Sequence, residues 1–122
     1  MKTIVFEIAS PEAAMARLIA ASSEGVSERC ARLSFPSCVD MARVLTPTRW
    51  GVVEALTGAG PLGVRELARR VARDVKGVHT DANALVDANA LVSVGVIDRA
   101  EDGKYVFPFD EVRVRFNLRA AA

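Results

Sequence analysis

An α+β fold is predicted for this 122-residue chain by three features. Apolar and polar residues alternate near both ends, from Thr3 to Ile8 and from Glu111 to Leu118, as they do in strands with one buried face. From Val64 to Asp81 the segment VRELARRVARDVKGVHTD reads as two short amphipathic helices joined by a tight turn, a helix-turn-helix. Behind it, Asp102-Gly103 lies between two apolar runs, which is a hairpin signal. Together these predict a winged helix-turn-helix over residues 41–109. Residues 1–40 form an N-terminal strand-helix-strand extension serving assembly, and residues 110–122 a C-terminal strand and tail.

Each element has its own local reason. Ile4, Phe6 and Ile8 alternate with Thr3, Val5 and Glu7, so the first strand is expected to be half exposed. Ser10-Pro11 starts an Ala-rich helix over residues 12–21, ended by residues 22–25. A second strand at Arg32 to Phe35 would complete a β-α-β piece with the first. A helix over Ser37 to Leu45 follows. Thr46 then fits an N-cap and Pro47 the first helical position, with Leu45 and Trp50 at the two staple positions. That helix runs to about Leu56, where Gly58 and Gly60-Pro61 stop it.

Pro61 to Gly63 is a short extended link. Val64, Leu67, Ala68 and Val71 form the inner face of the next helix, and Asp74 opens the one after it. Val96 to Ala100 and Lys104 to Phe107 are the hairpin strands, and Pro108 ends the second. In the terminal strand Val112, Val114, Phe116 and Leu118 oppose Arg113, Arg115 and Asn117. Its apolar face needs a partner sheet, from the N-terminal strands or from another subunit.

Residues 81–86 and 87–92 both read DANALV, a tandem copy directly after the second helix of the turn motif. Removing one copy leaves VKGVHTDANALVSVGVIDR, a normal length for a recognition helix followed by a turn into a wing. At ~3.6 residues per turn, six extra residues push whatever follows ~9 Å along the axis and rotate it by about a third of a turn. Two outcomes are open. The helix could run unbroken from Val75 to about Val94, with Val75, Val78, Ala82, Leu85, Ala88 and Val92 as its stripe and its extra turns packed on another subunit, with an exchanged wing. Alternatively the insertion loops out of an otherwise ordinary domain.

Half the residues are apolar, enough for one core without metal or disulfide staples. Net charge is only +1, but Arg65, Arg69, Arg70, Arg73 and Lys76 against Glu66 and Asp74 give the turn motif an excess of three positive charges. The rest of the chain is left at about −2. Cys30 and Cys38 have no second pair, so no zinc pattern exists, and no cofactor or metal is expected. No nucleophile-base constellation surrounds the lone His79, which argues against an enzyme. With no signal peptide and no long apolar run, a reduced, cytoplasmic location away from membranes is expected.

The donor-rich outer face of the motif points to double-stranded DNA. Lys76, Gly77, His79, Thr80 and Asn83 would face the bases, with Gly77 allowing close approach and Asn83 suited to adenine. Arg65, Arg69, Arg70 and Arg73 would lie nearer the phosphates. Thr46 and Thr48 would hold a phosphate at a helix start, and Arg99 and Lys104 would reach an adjacent groove from the wing. The competing explanation is a solvated face with internal pairing, such as Glu66 with Arg69 or Arg70.

With one repeat copy removed, the chain from Arg32 onward resembles a family of small predicted transcriptional regulators of bacteria and archaea. The resemblance lies in RLSF at 32–35, RVLTPTRW at 43–50, GPLGVRELARRVARDVKGVHTD at 60–81 and GVIDRAEDGKYVFPFDEVRVRF at 95–116. It implies a MarR- or ArsR-like DNA-binding homodimer, in some cases encoded beside a small toxin as its antitoxin and autorepressor. The repeat departs from the family's pattern, inside the element used for recognition. A protein-interaction module, as antitoxin or assembly subunit with little or no DNA binding, is the alternative.

Overall fold

A computed structural model describes residues 2–10, 12–13, 16, 30–87 and 95–118. The described residues form an α+β fold with four helices and two small sheets. In chain order they are β1 (Thr3–Ile8), β2 (Cys30–Phe35), α1 (Cys38–Val44), α2 (Pro47–Leu56), α3 (Val64–Val71), α4 (Val75–Asp87), β3 (Asp98–Arg99), β4 (Tyr105–Val106) and β5 (Glu111–Arg115).

The larger sheet has the order β2-β1-β5, and β1 runs parallel to both neighbours. Phe6 lies opposite Leu33 on one side and Val114 on the other. The terminal strand therefore finds its partner within the chain. As the middle strand β1 is buried on both faces, which corrects the half-exposed expectation: Val5 and Glu7 are as buried as Ile4 and Phe6. Burying the Glu7 carboxylate requires partners, and β2 supplies them through Arg32 Nη1 at 3.0 Å and Ser34 Oγ at 3.3 Å. At the expected helix start Ser10 Oγ accepts the Ala13 N–H at 3.1 Å. The remainder of that helix lies outside the described residues.

The core is continuous. Phe6 meets Phe35, Trp50 and Phe107 at ring-centroid distances of 6.3, 5.8 and 6.4 Å. Ile4 and Phe6 of β1 and Leu33 and Phe35 of β2 thus belong to the same apolar cluster as Val52, Val53, Leu56, Leu67, Val78 and Leu85.

The helix boundaries follow their predicted caps. Ser37 caps α1, and Thr46 accepts the Arg49 N–H at the start of α2 with Pro47 at its first position. Gly58 and Gly60 carry φ of +69° and +74° beyond its end. Leu62 in the link exchanges two backbone hydrogen bonds of 2.8 Å with Tyr105, so the link forms a third short rung beside the hairpin. α3 ends where Ala72 turns left-handed at φ 55°, and the Arg73 N–H closes back onto Ala68 O at 3.1 Å. Asp74 then opens α4, accepting the Gly77 N–H at 2.7 Å. Of the predicted stripe Val78, Ala82 and Leu85 are buried, but Val75, in the first turn, is exposed. The hairpin strands are shorter than predicted, because Val96 and Ile97 plug the core instead of pairing.

Residues 88–94, which hold most of the second DANALV copy, lie outside the described residues. On their far side the Val96 N–H donates to Leu85 O at 2.9 Å. One straight helix from Val75 to Val94 would leave Val96 about 16 Å along the axis from Leu85, so this bond corrects the continuous-helix expectation. Leu85 and Val96 are eleven positions apart here and five apart once residues 87–92 are subtracted. Five apart is the spacing of the 6→1 bond that ends a helix in a Schellman motif, with a glycine just before the donor, as Gly95 is. Gly95 is not left-handed, so the bond matches the spacing of that motif in the shorter chain without its left-handed residue.

Candidate nucleic-acid interface

The turn between α3 and α4 sets the geometry of the predicted contact residues. Left-handed Ala72 reverses the chain, and the Asp74 cap restarts it at once, so both helices pack on α2 and on each other. Lys76, His79 and Thr80 are exposed on α4, turned away from the buried Val78, Ala82 and Leu85. The Thr80 hydroxyl donates to Lys76 O at 3.0 Å within the helix. Arg65 is exposed on α3, and neither it nor Lys76 has an ion pair among the described residues.

Other predicted contacts are engaged inside the chain. Glu66 in the first turn of α3 pairs with Arg69 and with Arg70, the latter at 3.1 Å. Hydrogen bonds from Arg69 and then Arg70 hold the Glu66 carboxyl below its usual range, and the same contact raises Arg69. This is the internal pairing expected of a solvated face, and it also matches the helix dipole, acid first and bases last.

Arg73 is committed more deeply. Its Nη1 lies 2.8 Å from Asp81 Oδ2, while Arg49 Nε approaches Asp81 Oδ1 at 3.4 Å. Arg49 also donates to the Arg43 and Val44 carbonyls at 3.3 and 3.2 Å, capping the end of α1. Asp81 on α4 thus binds the α3–α4 turn through Arg73 and α2 through Arg49, which in turn holds the end of α1. Its burial opposes ionisation, but hydrogen bonds from Arg73, Thr48 and Arg49 outweigh that and lower its pKa.

Thr46 and Thr48 are in contact with each other at 3.3 Å, with Thr46 used as the cap of α2 and Thr48 turned towards Asp81. Gly77 has an internal explanation. A Cβ there would lie 2.9 Å from an Asp74 carboxylate oxygen and 3.1 Å from Arg73 Nη2.

Asn83 joins α4 to the hairpin. Its Oδ1 accepts from Tyr105 Oη at 2.8 Å and from Arg99 Nη1 at 3.4 Å, and its amide nitrogen lies 3.2 Å from the His79 ring. Arg99 is also stacked over the Tyr105 ring, 5.4 Å from its centroid. Lys104 stands exposed at the hairpin turn, 4.0 Å from Asp102. The structure therefore groups Lys76, His79 and Thr80 on one outward surface, and it places Arg73, Gly77 and Asn83 in the framework behind them.

Sequence reasoning passed over Arg49, Asp81 and Tyr105. For Asp81 a signal existed: an acid beside the buried stripe needs a cation. Asp87, in an identical hexapeptide, hid which acid that was. Among the described residues no helix is long and apolar enough to cross a membrane.

Among known proteins, the HVO_A0114 family matches residues 44–114. No curated protein and no solved structure matches the chain. The matched segment is more than half of the chain and spans α2 to most of β5, including every predicted contact residue, so the chain belongs to the HVO_A0114 family.

Proposed function

We propose that this chain is a DNA-binding transcriptional regulator, a winged helix-turn-helix that lays the N-terminal half of α4 in the major groove and acts as a dimer on operator DNA. The observation that carries the reading is the exposed surface of Lys76, His79 and Thr80 at the start of a helix whose other face is locked into the core. A helix buttressed in this way offers its donors in a fixed geometry. Arg65 on α3 and Lys104 at the hairpin turn are also exposed, and in this reading they meet phosphates.

Arg69 and Arg70 serve a second rank in this reading. Their pairs with Glu66 are solvent-exposed and screened by salt, so a phosphate competes with Glu66 for them at little cost. Arg73, Gly77 and Asn83 act indirectly, by fixing the turn, the start of α4 and the wing.

The test is a fluorescence-anisotropy titration of the full chain against a duplex from upstream of its own gene, between about 50 and about 200 mM salt. Affinity should fall as salt rises, and Lys76→Ala should weaken binding about tenfold without lowering stability. Absence of binding at low salt, or binding indifferent to Lys76→Ala, would remove the reading.

A further inference from the structure

Resting on the dimer in the proposed function and naming its contact, we infer that β5 is the dimerisation strand of this protein: its outer edge pairs antiparallel with β5 of a second copy, joining two three-stranded sheets into one of six. β5 is an edge strand of the sheet β2-β1-β5, so one side of it has backbone donors and acceptors without a ladder among the described residues. Its alternating apolar positions are exposed towards the end of the strand at Arg115 and just past it. Val112 packs on the core, whereas Val114, Phe116 and Leu118 are 47, 41 and 77% exposed. Three large apolar side chains exposed within five residues make a local apolar concentration, unlike singly scattered surface residues.

The charges select a second copy as the occupant. A closed dimer built on one edge must be antiparallel, because a two-fold axis reverses the strand. Residues directly opposite then share a face only in registers that keep the parity of the pleat. With the axis at Arg113, Glu111 lies opposite Arg115 of the second copy, and Val112 opposite Val114. The Glu111–Arg115 contact occurs twice by symmetry, and Val112 and Val114 of the two copies form one apolar row across the axis. Arg113, which meets itself at the axis, already has its charge matched within each chain by Glu111 Oε1 at 2.7 Å from its Nε. Moving the axis to Val114 would set Arg113 against Arg115 twice, so the neighbouring register is disfavoured.

Charge reversal in the full-length chain tests this, read by sedimentation equilibrium with far-UV circular dichroism as the control for folding. The unmodified chain should sediment at twice its 13.1 kDa. Glu111→Arg and Arg115→Glu should each raise the dimer dissociation constant by about tenfold or more, since each reverses two contacts per dimer. The double reversal should bring it back towards the original value. Val114→Asp, at an exposed position, should leave a folded monomer. A monomeric unmodified chain, a dimer that neither reversal weakens, or a double reversal no tighter than its parents would each overturn the inference.

Discussion

Asp81 and Asp87 begin two identical hexapeptides, and their surroundings have little in common. Asp81 is held between Arg73 and Arg49 with its side chain only 14% exposed, whereas Asp87 is exposed at the end of α4. Asp81→Asn should therefore destabilise the fold by about 2 kcal/mol, by leaving two guanidinium groups underpaired, and Asp87→Asn should be nearly neutral. Urea unfolding of the two variants separates them. The pH dependence has a definite sign. The folded pKa of Asp81 lies below its unfolded value, so its contribution is complete above that unfolded value, near pH 4, and is lost as pH falls through the folded one. The stability gap between the unmodified chain and Asp81→Asn should stay constant from neutral pH down to about pH 5 and close below that. A gap that persists in strong acid would show that shape, not charge, holds the junction. Ala72 is a second residue whose cost can be measured. Its left-handed backbone is disfavoured for any residue with a Cβ, so Ala72→Gly should raise stability by about 0.5–1 kcal/mol.

At the level of elements, legibility followed locality. The start of α2 was readable because Thr46, Pro47 and the following residues carry its cap within one turn of chain. The end of α4 was not, because its closing bond joins Leu85 to Val96 across the repeat, and periodicity alone favoured carrying the helix onward. The contact residues divide the same way. Exposure of Lys76 and His79 follows from helix phase, but the engagement of Asn83 depends on Tyr105, far along the chain. Two variants probe the α4 closure. A Cβ on Gly95 would lie 2.1 Å from Val86 O, a backbone atom that cannot swing aside, so Gly95→Ala should cost about 1–3 kcal/mol and break the Val96 bond. Deleting residues 87–92 should do the opposite. The Leu85–Val96 bond then closes a five-residue separation instead of eleven, which lowers the closure entropy by somewhat under 1 kcal/mol. The shortened chain should melt no lower than the parent and keep any DNA affinity within about threefold. Loss of the fold on deletion would mean that the second copy is integral to it.

The whole molecule is organised around Phe6. This side chain comes from the first strand, yet its ring meets β2 through Phe35, α2 through Trp50 and the segment after β4 through Phe107. No pattern in residues 1–40 announces this, since the alternation of Thr3 to Ile8 says which side of a strand is apolar but not what it will cover. The parallel pairing of β1 with β5 joins the two ends of the chain, and Asp110 reinforces it by receiving the Lys2 N–H at 3.0 Å. β1, β2 and the helices should therefore not unfold separately. Trp50 fluorescence, which reports on the contact with Phe6, and far-UV circular dichroism, which reports on all helices, should give coincident urea transitions. Phe6→Ala should shift both midpoints together and lower stability by about 3–5 kcal/mol, because a fully buried ring is removed from a site walled by three other aromatics. Two separated transitions, or a Phe6→Ala variant that loses the fluorescence change while its helices melt as before, would mean that the strands are an accessory layer. In that case the helices would fold, and present Lys76 and His79, without them.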